Sequence, residues 1–311
     1  VNDDPSGTLP ASVTVTEDVT ASLDLSSIVL SDVDSGPDPV VVTLTVTNGS
    51  LASVGTTGVA AGGTASALTL TGSLADVNAF LSSGTAVSYT GALNASGAGA
   101  DTIAVTISDQ GSTGSGGGLP VALGSISVDI TGANDAPVLT VPAAALNTDE
   151  DVAIDVTGVS LSDVDAGAGA VSVVISAVSG QVSLDDGVSG GLAAGDIIGN
   201  GSGSVTVTGT LAQINATFGA VGGISYLGNA DFNGVETLTF AADDGGNTGT
   251  GGALTDSENI TINVAAVNDP PVVSATTDPA AVPAGETDVL SNGSFVLSTF
   301  FTASDVEAAD T

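Results

Sequence analysis

An internal repeat limits the fold of this chain more than any other feature of its sequence. The segment Asn134–Val138 recurs as Asn268–Val272, and Val1–Pro5 is a third version of it. The asparagines of successive segments stand 132 and 134 residues apart. A period of this length is the size of a whole domain, so the sequence predicts tandem copies of one domain.

Further landmarks recur in the same order in the first two copies, at offsets between 131 and 137 residues, as small loop insertions would produce. The matched pairs are Thr16–Asp18 with Asp149–Asp151, Ser31–Asp34 with Ser162–Asp165, Leu70–Leu74 with Val207–Leu211, Tyr89 with Tyr226, and Asp109–Gly111 with Asp244–Gly246. We therefore expect one repeat at 1–133, a second at 134–267, and the N-terminal part of a third at 268–311. The rest of the third repeat would follow in a longer chain or be completed by strands of another chain.

Within each copy, apolar residues alternate with Thr or Ser over short runs that are punctuated by Gly, Asn and Asp. This pattern predicts half-buried strands, and short strands at this spacing favour antiparallel sandwiches. The predicted strands include Val41–Val46, Ala67–Leu70, Thr102–Ile107, Ser125–Ile130, Val205–Val207, Thr237–Phe240 and Ile260–Val264. Apolar residues at helical spacing predict one short helix per copy, at Leu74–Leu81 and Leu211–Phe218. The expected fold class is all-β, with immunoglobulin-like antiparallel β-sandwiches in a head-to-tail array.

The composition excludes several classes of function. The chain has 35 Asp and Glu residues, no Lys, Arg, His or Cys, and a formal net charge of −35. It therefore lacks the cationic surface needed for nucleic acids or anionic membranes, and the side chains needed for catalytic triads, Cys/His zinc sites or disulfides. No apolar run reaches the roughly 18 residues of a membrane span, and no signal sequence precedes the first repeat, as expected for a piece of a longer chain. The remaining carboxylate, amide and hydroxyl oxygens are ligands of hard cations such as Ca²⁺.

The acidic landmarks lie at the ends of predicted strands. Asp101 and Asp109 flank one strand, so at a rise of about 3.3 Å per residue they lie at opposite ends of the domain. Glu17 and the pair Asp32 and Asp34 bracket another segment in the same way. In a head-to-tail array, acids from two repeats would meet at the linker. Since the chain has no basic residue, we expect a divalent cation to neutralise them.

The combination of these motifs resembles the calcium pattern of cadherins. It consists of Glu17 before the second strand, Asp32-x-Asp34 after it, Asp109-x-Gly at the end of a late strand, and an Asn-Asp-x-Pro linker at Asn134. The sequence is most similar to the bacterial cadherin-like repeats of giant secreted or surface adhesins of the RTX and VCBS type. The resemblance extends over both full copies and the start of the third. It implies cadherin-like sandwiches with several Ca²⁺ ions at the junctions between repeats.

The resemblance also implies three sets of metal ligands. The first junction would combine Glu17, Asn134, Asp135, Asp163, Asp165 and Asp244, and the second would combine Glu150, Asn268, Asp269, Asp305 and Glu307. At the N-terminal edge the set would be Asn2, Asp3, Asp32, Asp34 and Asp109. The Asp-x-Glu that animal cadherins carry before the late strand is absent in its usual form. Asp231, Asn233 and Glu236 could replace it in the second copy, whereas the first copy offers Asn94 and Asp101.

These features lead us to expect a non-enzymatic segment of a secreted or surface-anchored bacterial protein. Ca²⁺ would stiffen its repeats into an extended rod that serves in adhesion, or in an extracellular fibre or layer. The expected partners are neighbouring repeats, identical chains in such an assembly, and surface glycans or proteins.

Two other functions and one other origin of the acidity remain open at this stage. A glycan-binding module would need an open Ca²⁺ coordination position, although few aromatic residues are present to stack on sugars. A glycosidase would need a pair of carboxylates in a cleft, and no such pair is recognisable. A salt-adapted proteome would explain the acids without a metal, but it predicts acids scattered over the surface rather than grouped at the ends of repeats.

Overall fold

The computed structural model describes residues 2–111, 118–246 and 249–270, and the backbone of 272–275 and 301–304. The chain forms two compact units. The first comprises Val1–Pro137, Asp163–Ala170 and Asp243–Thr255, and the second comprises the remaining residues. The predicted repeat boundaries at 133 and 267 stay predictions, since this division follows contacts and not the repeat.

The first unit contains eleven strands and one helix of the chain's first 137 residues. They are β1 (Ser6–Thr8), β2 (Ser12–Thr16), β3 (Ala21–Ser22), β4 (Val29–Ser31), β5 (Pro39–Val46), β6 (Ser50–Ala52), β7 (Val59–Thr64), β8 (Ala67–Ser73), α1 (Leu74–Leu81), β9 (Ser88–Thr90), β10 (Gly97–Ser108) and β11 (Val121–Thr131).

Two sheets of the first unit enclose one hydrophobic core. The larger has six strands in the order β2-β11-β10-β5-β8-β7, the smaller has three in the order β3-β9-β6, and β1 pairs separately with β4. Alternate residues of β5, such as Val40, Val42 and Leu44, are completely buried, because side chains point alternately to the two faces of a strand. Leu51 and Tyr89 enter the same core from the smaller sheet. This arrangement is a β-sandwich.

The second unit repeats this organisation. Its elements are β12 (Val138–Thr140), β13 (Leu146–Asp149), β14 (Ile154–Asp155), β15 (Ser160–Ser162), β16 (Ala170–Ser176), β17 (Gly180–Leu184), β18 (Ile197–Ile198), β19 (Ser204–Thr210), α2 (Leu211–Phe218), β20 (Ile224–Gly228), β21 (Gly234–Asp243) and β22 (Thr255–Ala265). A single 3₁₀ turn lies at Ala194–Asp196. The sheets have the orders β13-β22-β21-β16-β19-β18 and β14-β20-β17, with β12 paired to β15. Beyond them, β23 (Val272–Ala275) pairs with β24 (Phe301–Ser304).

The structure confirms the predicted all-β class and both short helices, whose bounds match the sequence prediction. One feature differs from a purely antiparallel sandwich. The edge strands β2 and β13 pair in parallel with β11 and β22, the last strands of their sheets. Pro10 lies between β1 and β2, and Pro142 lies between β12 and β13; after the proline the chain joins the six-stranded sheet of its unit. No helix within the described residues is long and apolar enough to cross a membrane.

Each helix is fixed to a neighbouring strand by one asparagine. Asn78 of α1 accepts a hydrogen bond from the Leu30 amide and donates one to the Leu30 carbonyl, both at 2.9 Å. Asn215 of α2 binds Leu161 in the same way, at 2.8 and 2.7 Å. Ser73 and Thr210 cap the N-termini of the two helices through their hydroxyl oxygens. The caps therefore define where the helices begin. One side-chain amide of each helix forms hydrogen bonds with the backbone of a neighbouring strand.

A buried tyrosine and a buried acid close a turn in each unit. The Tyr89 hydroxyl donates to Asp101 Oδ2 at 2.9 Å, and the same oxygen accepts from the Gly49 amide at 2.8 Å. Burial alone would raise the pKa of Asp101, but backbone amides, the first being that of Thr102, and the Tyr89 hydroxyl lower it overall. In the second unit, burial and the negative charge of Glu236 raise the pKa of Tyr226 to about 12.

We expect Gly180→Ala to destabilise the second unit by about 1–3 kcal/mol, because the added methyl overpacks the core. An added Cβ would lie 2.3 Å from Cε2 of Tyr226 and 2.6 Å from the Leu227 carbonyl oxygen. Gly195→Ala is the matched control, since nothing lies within 4 Å of its added Cβ. The free energy of unfolding of both variants, measured in urea, tests this; equal values would show that the tyrosine ring does not fix this position.

We expect Asp101→Asn to lower the free energy of unfolding at pH 7 by about 1–3 kcal/mol, because an amide group replaces an acceptor that faces several N–H donors. The folded-state pKa of Asp101 lies below its unfolded value of about 3.9, so the carboxylate stabilises the fold above pH 4. That stabilisation is lost as the pH falls through the folded-state pKa. Urea unfolding at several pH values should therefore show the two proteins converging in acid, and a constant difference would contradict this account.

Candidate metal sites

Three carboxylates of the first unit converge just after strands β2 and β11. One oxygen of each of Glu17, Asp18 and Asp135 lies within 4.8 Å of the others. Glu17 is 3% exposed, and its Oε1 accepts a hydrogen bond from the Ala133 amide at 2.5 Å. The parallel pairing of β2 with β11 continues through the bond from the Glu17 amide to the Thr131 carbonyl. This pairing brings residues more than a hundred positions apart in sequence into one cluster.

An acidic loop of the same unit adds further oxygens. Asp163 Oδ1 accepts hydrogen bonds from the amides of Asp165 and Ala166, at 3.1 and 2.9 Å. Asp165 Oδ2 in turn accepts from the Asp135 amide at 3.0 Å. Asn134 donates to Asp244 Oδ2 at 2.5 Å. All six residues that the first predicted junction comprises therefore belong to a single network in the first unit.

Two oxygens of this network receive no hydrogen bond from any residue that the structure describes. Asp135 Oδ2 and Asp163 Oδ2 are buried, and no donor among the described residues reaches them. Burial, followed by the charges of Asp18 and Asp165, raises the pKa of Asp135. Burial and the nearby Asp165 carboxyl likewise raise the pKa of Asp163, against the opposing effect of the Ala166 amide. Both carboxylates are therefore destabilised in their charged form unless a positive charge compensates them.

The donor set fits a Ca²⁺ ion. The unsatisfied acceptors are carboxylate oxygens, and the chain contains no basic side chain that could pair with them. Ca²⁺ takes six to eight oxygen ligands in flexible geometry, including carboxylates, amide oxygens and water. A pocket of about 240 Å³ at the cluster is lined in part by Glu17, Asp135, Asp165 and Asn94, so water ligands also have room.

The N-terminal edge of the first unit repeats part of this geometry. Asn2 donates to Asp109 Oδ2 at 2.6 Å, as Asn134 does to Asp244. The Asp3 amide donates to Asp34 Oδ2 at 3.1 Å, and Asp32 Oδ1 accepts from the Asp34 amide at 3.1 Å. Asn2 Oδ1 and Asp32 Oδ2 are buried without a hydrogen-bond donor among the described residues. The same arrangement therefore occurs twice, at residues matched by the sequence repeat.

A third cluster lies in the second unit. Oxygens of Asp151, Asp231 and Asp269 lie within 4.8 Å of one another. Glu150 Oε1 accepts from the Val267 amide at 2.5 Å, and its Oε2 accepts from the Asn233 side chain at 3.2 Å. The Asn268 side chain donates to the Asp269 carbonyl at 3.1 Å. The other two predicted ligands of this set, Asp305 and Glu307, lie outside the described residues.

The sequence prediction missed two acids of these clusters, Asp18 and Asp151. Each follows the predicted Glu ligand directly and has a positive φ, 56° and 57° respectively. The repeated Glu-Asp pair was the available signal, but alternation along a strand would point the second acid away from the first. The left-handed backbone at Asp18 and Asp151 removes this alternation, and Asp tolerates that conformation better than most residues.

Two possible substitutes for the missing Asp-x-Glu have a different role. Asp101 binds the backbone of the β5–β6 turn, at Thr47 to Gly49. Glu236 accepts from the amides of Val178 and Ser179 in the equivalent turn, at 3.3 and 2.6 Å. Their oxygens are thus occupied by amide donors. Asn94 and Asp231 instead lie at the clusters, where their backbone amides donate to Asp18 and Asp151.

Comparisons with known proteins give similarity to solved structures only. No family model matches the chain, and no curated protein matches its sequence. The chain is similar to repeats EC22-24 of mouse cadherin-23, with 17% identity and a TM-score of 0.36 over 89% of this chain and 71% of that one. It is also similar to human CDH23 EC21-23, with 13% identity and a TM-score of 0.37 over 98% of this chain and 80% of that one.

A bacterial structure is similar as well. It is the C-terminal domain of the AgI/II polypeptide BspA from Streptococcus agalactiae, with 11% identity and a TM-score of 0.27, over 84% of this chain and 100% of that one. The all-β class assigned above rests on the strand pairing of this chain and not on these similarities.

We expect Asp163→Asn to weaken Ca²⁺ binding by at least about tenfold, because it removes a ligand charge. Asparagine keeps an oxygen for the amides of Asp165 and Ala166, so the loop should retain its backbone bonds. Asp186→Asn, an exposed acid outside the clusters, is the charge-matched control. Titration calorimetry on metal-free protein measures both, and equal affinities would rule out Asp163 as a ligand.

Proposed function

We propose that this chain is a non-enzymatic extracellular segment whose tandem β-sandwich repeats are stiffened by Ca²⁺. The observation that carries the proposal is the pair of buried oxygens, Asp135 Oδ2 and Asp163 Oδ2, that no hydrogen-bond donor among the described residues reaches. They belong to a network of acids in a chain without basic residues. A metal ion from solution is the counter-charge that this composition permits.

The sequence positions of the ligands explain how a metal would act. Glu17 belongs to the first predicted repeat, Asp163 to the second, and Asn134 and Asp135 to the linker between them. An ion held by all of them would tie the first predicted repeat to the second. Pro137, the last residue of the Asn-Asp-x-Pro linker, restricts the backbone further. Repetition of such ties along a chain would turn a flexible string of domains into a rod.

An extracellular location follows from the same chemistry. Extracellular Ca²⁺ modules work at dissociation constants of about 10⁻⁴ to 10⁻³ M, so sites of modest affinity are filled outside the cell. The chain has no cysteine, so its fold forms without disulfides. The role that fits a stiff, acidic, Ca²⁺-dependent rod is extension or adhesion at a cell surface, including a bacterial one. Its partners would be neighbouring repeats, and identical chains or surface ligands in an assembly.

Distance measurements between the predicted repeats test the proposal directly. Since the chain has no cysteine, Ser83→Cys with Ser189→Cys allows two spin labels to be placed at exposed positions without other changes. We expect a narrow distance distribution with Ca²⁺ and a broad one with chelator. Asp163→Asn should require more Ca²⁺ for the narrowing, whereas Asp186→Asn should behave as the parent. Ca²⁺ binding without any change in the distribution would leave a metal site but refute the stiffening.

A further inference from the structure

The acidic loop that begins at Asp163 directly follows a very short strand. β15 has three residues, and its one strand partner among the described residues is β12. The two strands form a ribbon that belongs to neither of the larger sheets of the second unit. Val138, the first residue of β12, pairs with Ser162, the last residue of β15. The linker that contains Asp135 and the loop that contains Asp163 therefore join this ribbon at the same end.

The other edge of β15 is held by one side chain of helix α2. Asn215 Oδ1 accepts a hydrogen bond from the Leu161 amide at 2.8 Å, and its Nδ2 donates to the Leu161 carbonyl at 2.7 Å. Both backbone groups of Leu161 thus point away from β12, since the direction of these groups alternates along a strand. A carboxamide offers both an N–H donor and a carbonyl acceptor, as a peptide group does. Asn215 therefore takes the place of a neighbouring strand.

Helix α2 is itself anchored in the core of the second unit. Ile214 and Phe218, which lie one and three residues from Asn215, have no exposed surface. The ring of Phe218 packs edge-on against Phe240, with ring centroids 6.3 Å apart. The Thr210 hydroxyl caps the first turn. A side chain on an element that is fixed in this way holds its position more precisely than one on a loop.

The same arrangement precedes the acidic loop of the first unit. Asn78 of α1 forms both hydrogen bonds with the backbone of Leu30. Asp32 stands two residues after Leu30, as Asp163 stands two residues after Leu161. The strand β4 also has three residues, and β1 is its one strand partner within the part of the chain that the structure describes. An asparagine of the helix thus anchors the strand before an Asp-x-Asp loop in both copies.

We propose that Asn215 is a positioning residue for the Ca²⁺ site of the Asp163 loop, and that Ca²⁺ binding and the anchoring of β15 are coupled through it. This inference rests on the proposed function, because it concerns the same ion. Leu161 is the last buried residue before Asp163, so its anchor fixes the point from which the loop starts. Without that anchor, part of the free energy of metal binding would be used to order the loop.

Titration with Ca²⁺, followed by nuclear magnetic resonance, tests the proposal at the residues concerned. The amides of Asp165 and Ala166 donate to Asp163 Oδ1, so their signals report this site separately from other acidic clusters. We expect Asn215→Ala to raise the Ca²⁺ dissociation constant that these signals give by at least about fivefold, the lower end of typical coupling between linked events. In metal-free protein the same substitution should speed up hydrogen exchange at both amides.

Thr217→Val is the matched control on the same helix. The fully buried Thr217 hydroxyl accepts a hydrogen bond from the Leu192 amide at 2.8 Å, so valine also removes a bond between helix α2 and a backbone group, but not one to the ribbon. It should lower the melting temperature and leave the Ca²⁺ dissociation constant unchanged. Thermal melts show whether each variant remains folded. Equal dissociation constants for the parent and Asn215→Ala, or equal weakening by both variants, would overturn the proposal.

Amide hydrogen exchange of the parent protein needs no substitution. Because coupling is reciprocal, saturating Ca²⁺ should slow exchange at Leu161 by at least about fivefold, and should slow exchange at Leu192 less. Exchange at Leu161 that ignores Ca²⁺, in a protein whose Asp165 and Ala166 signals respond to it, overturns this inference and leaves the metal site in place. If those two signals do not respond to Ca²⁺ in the parent, the proposed function fails and this inference fails with it.

Discussion

The absence of any basic side chain is the constraint on which the structure depends. Every buried carboxylate must be satisfied by N–H or O–H donors of this chain, or by a cation from solution. The protein uses the first solution at Asp101, where backbone amides and the Tyr89 hydroxyl surround the carboxylate. Asp163 receives amide bonds at one oxygen, and its other oxygen is buried where no donor of the described residues reaches it. The two kinds of acid thus differ in the number of hydrogen-bond donors that the local backbone provides.

The same hydrogen-bonding arrangements occur in both units, at residues that the sequence repeat matches. Asn78 and Asn215 satisfy a strand backbone, and Tyr89 and Tyr226 lie fully buried beside a turn that an acid holds. The repeat therefore preserves particular side-chain hydrogen bonds as well as the apolar positions of the core. The units differ at the edge strands β7 and β18, which have six and two residues respectively.

Periodicity predicted much of the fold from the sequence. The helices were predicted because apolar residues fall at helical spacing in Leu74–Leu81 and Leu211–Phe218. The structure adds that each helix directly follows a hydroxyl cap. The strands were predicted because burial of one face makes apolar residues alternate with Thr or Ser along the sequence. Pairing direction was not predictable, because the period of two residues is the same in parallel and antiparallel strands. The role of Asp101 was equally hidden, since the sequence does not show that a distant turn directs its amides at this residue.

The sequence also predicted some of the residues in the candidate metal sites. The repeated acids identified Glu17, Asp135 and Asp165, which the fold brings into one network. Their role as metal ligands stays a prediction. Asp18 required knowledge of a left-handed backbone, which the sequence does not reveal.

The parallel pairing of β2 with β11, and of β13 with β22, has a mechanical consequence. In each sheet the first strand lies beside the last, and both run in the same direction. Tension applied through the chain would pull β2 and β11 in opposite senses along their length. Their hydrogen bonds would then be loaded together in shear, instead of opening one after another as in a peeled hairpin. The hydrogen bonds between these two strands thus hold the first and last strands of each sheet together and resist stretching of the chain.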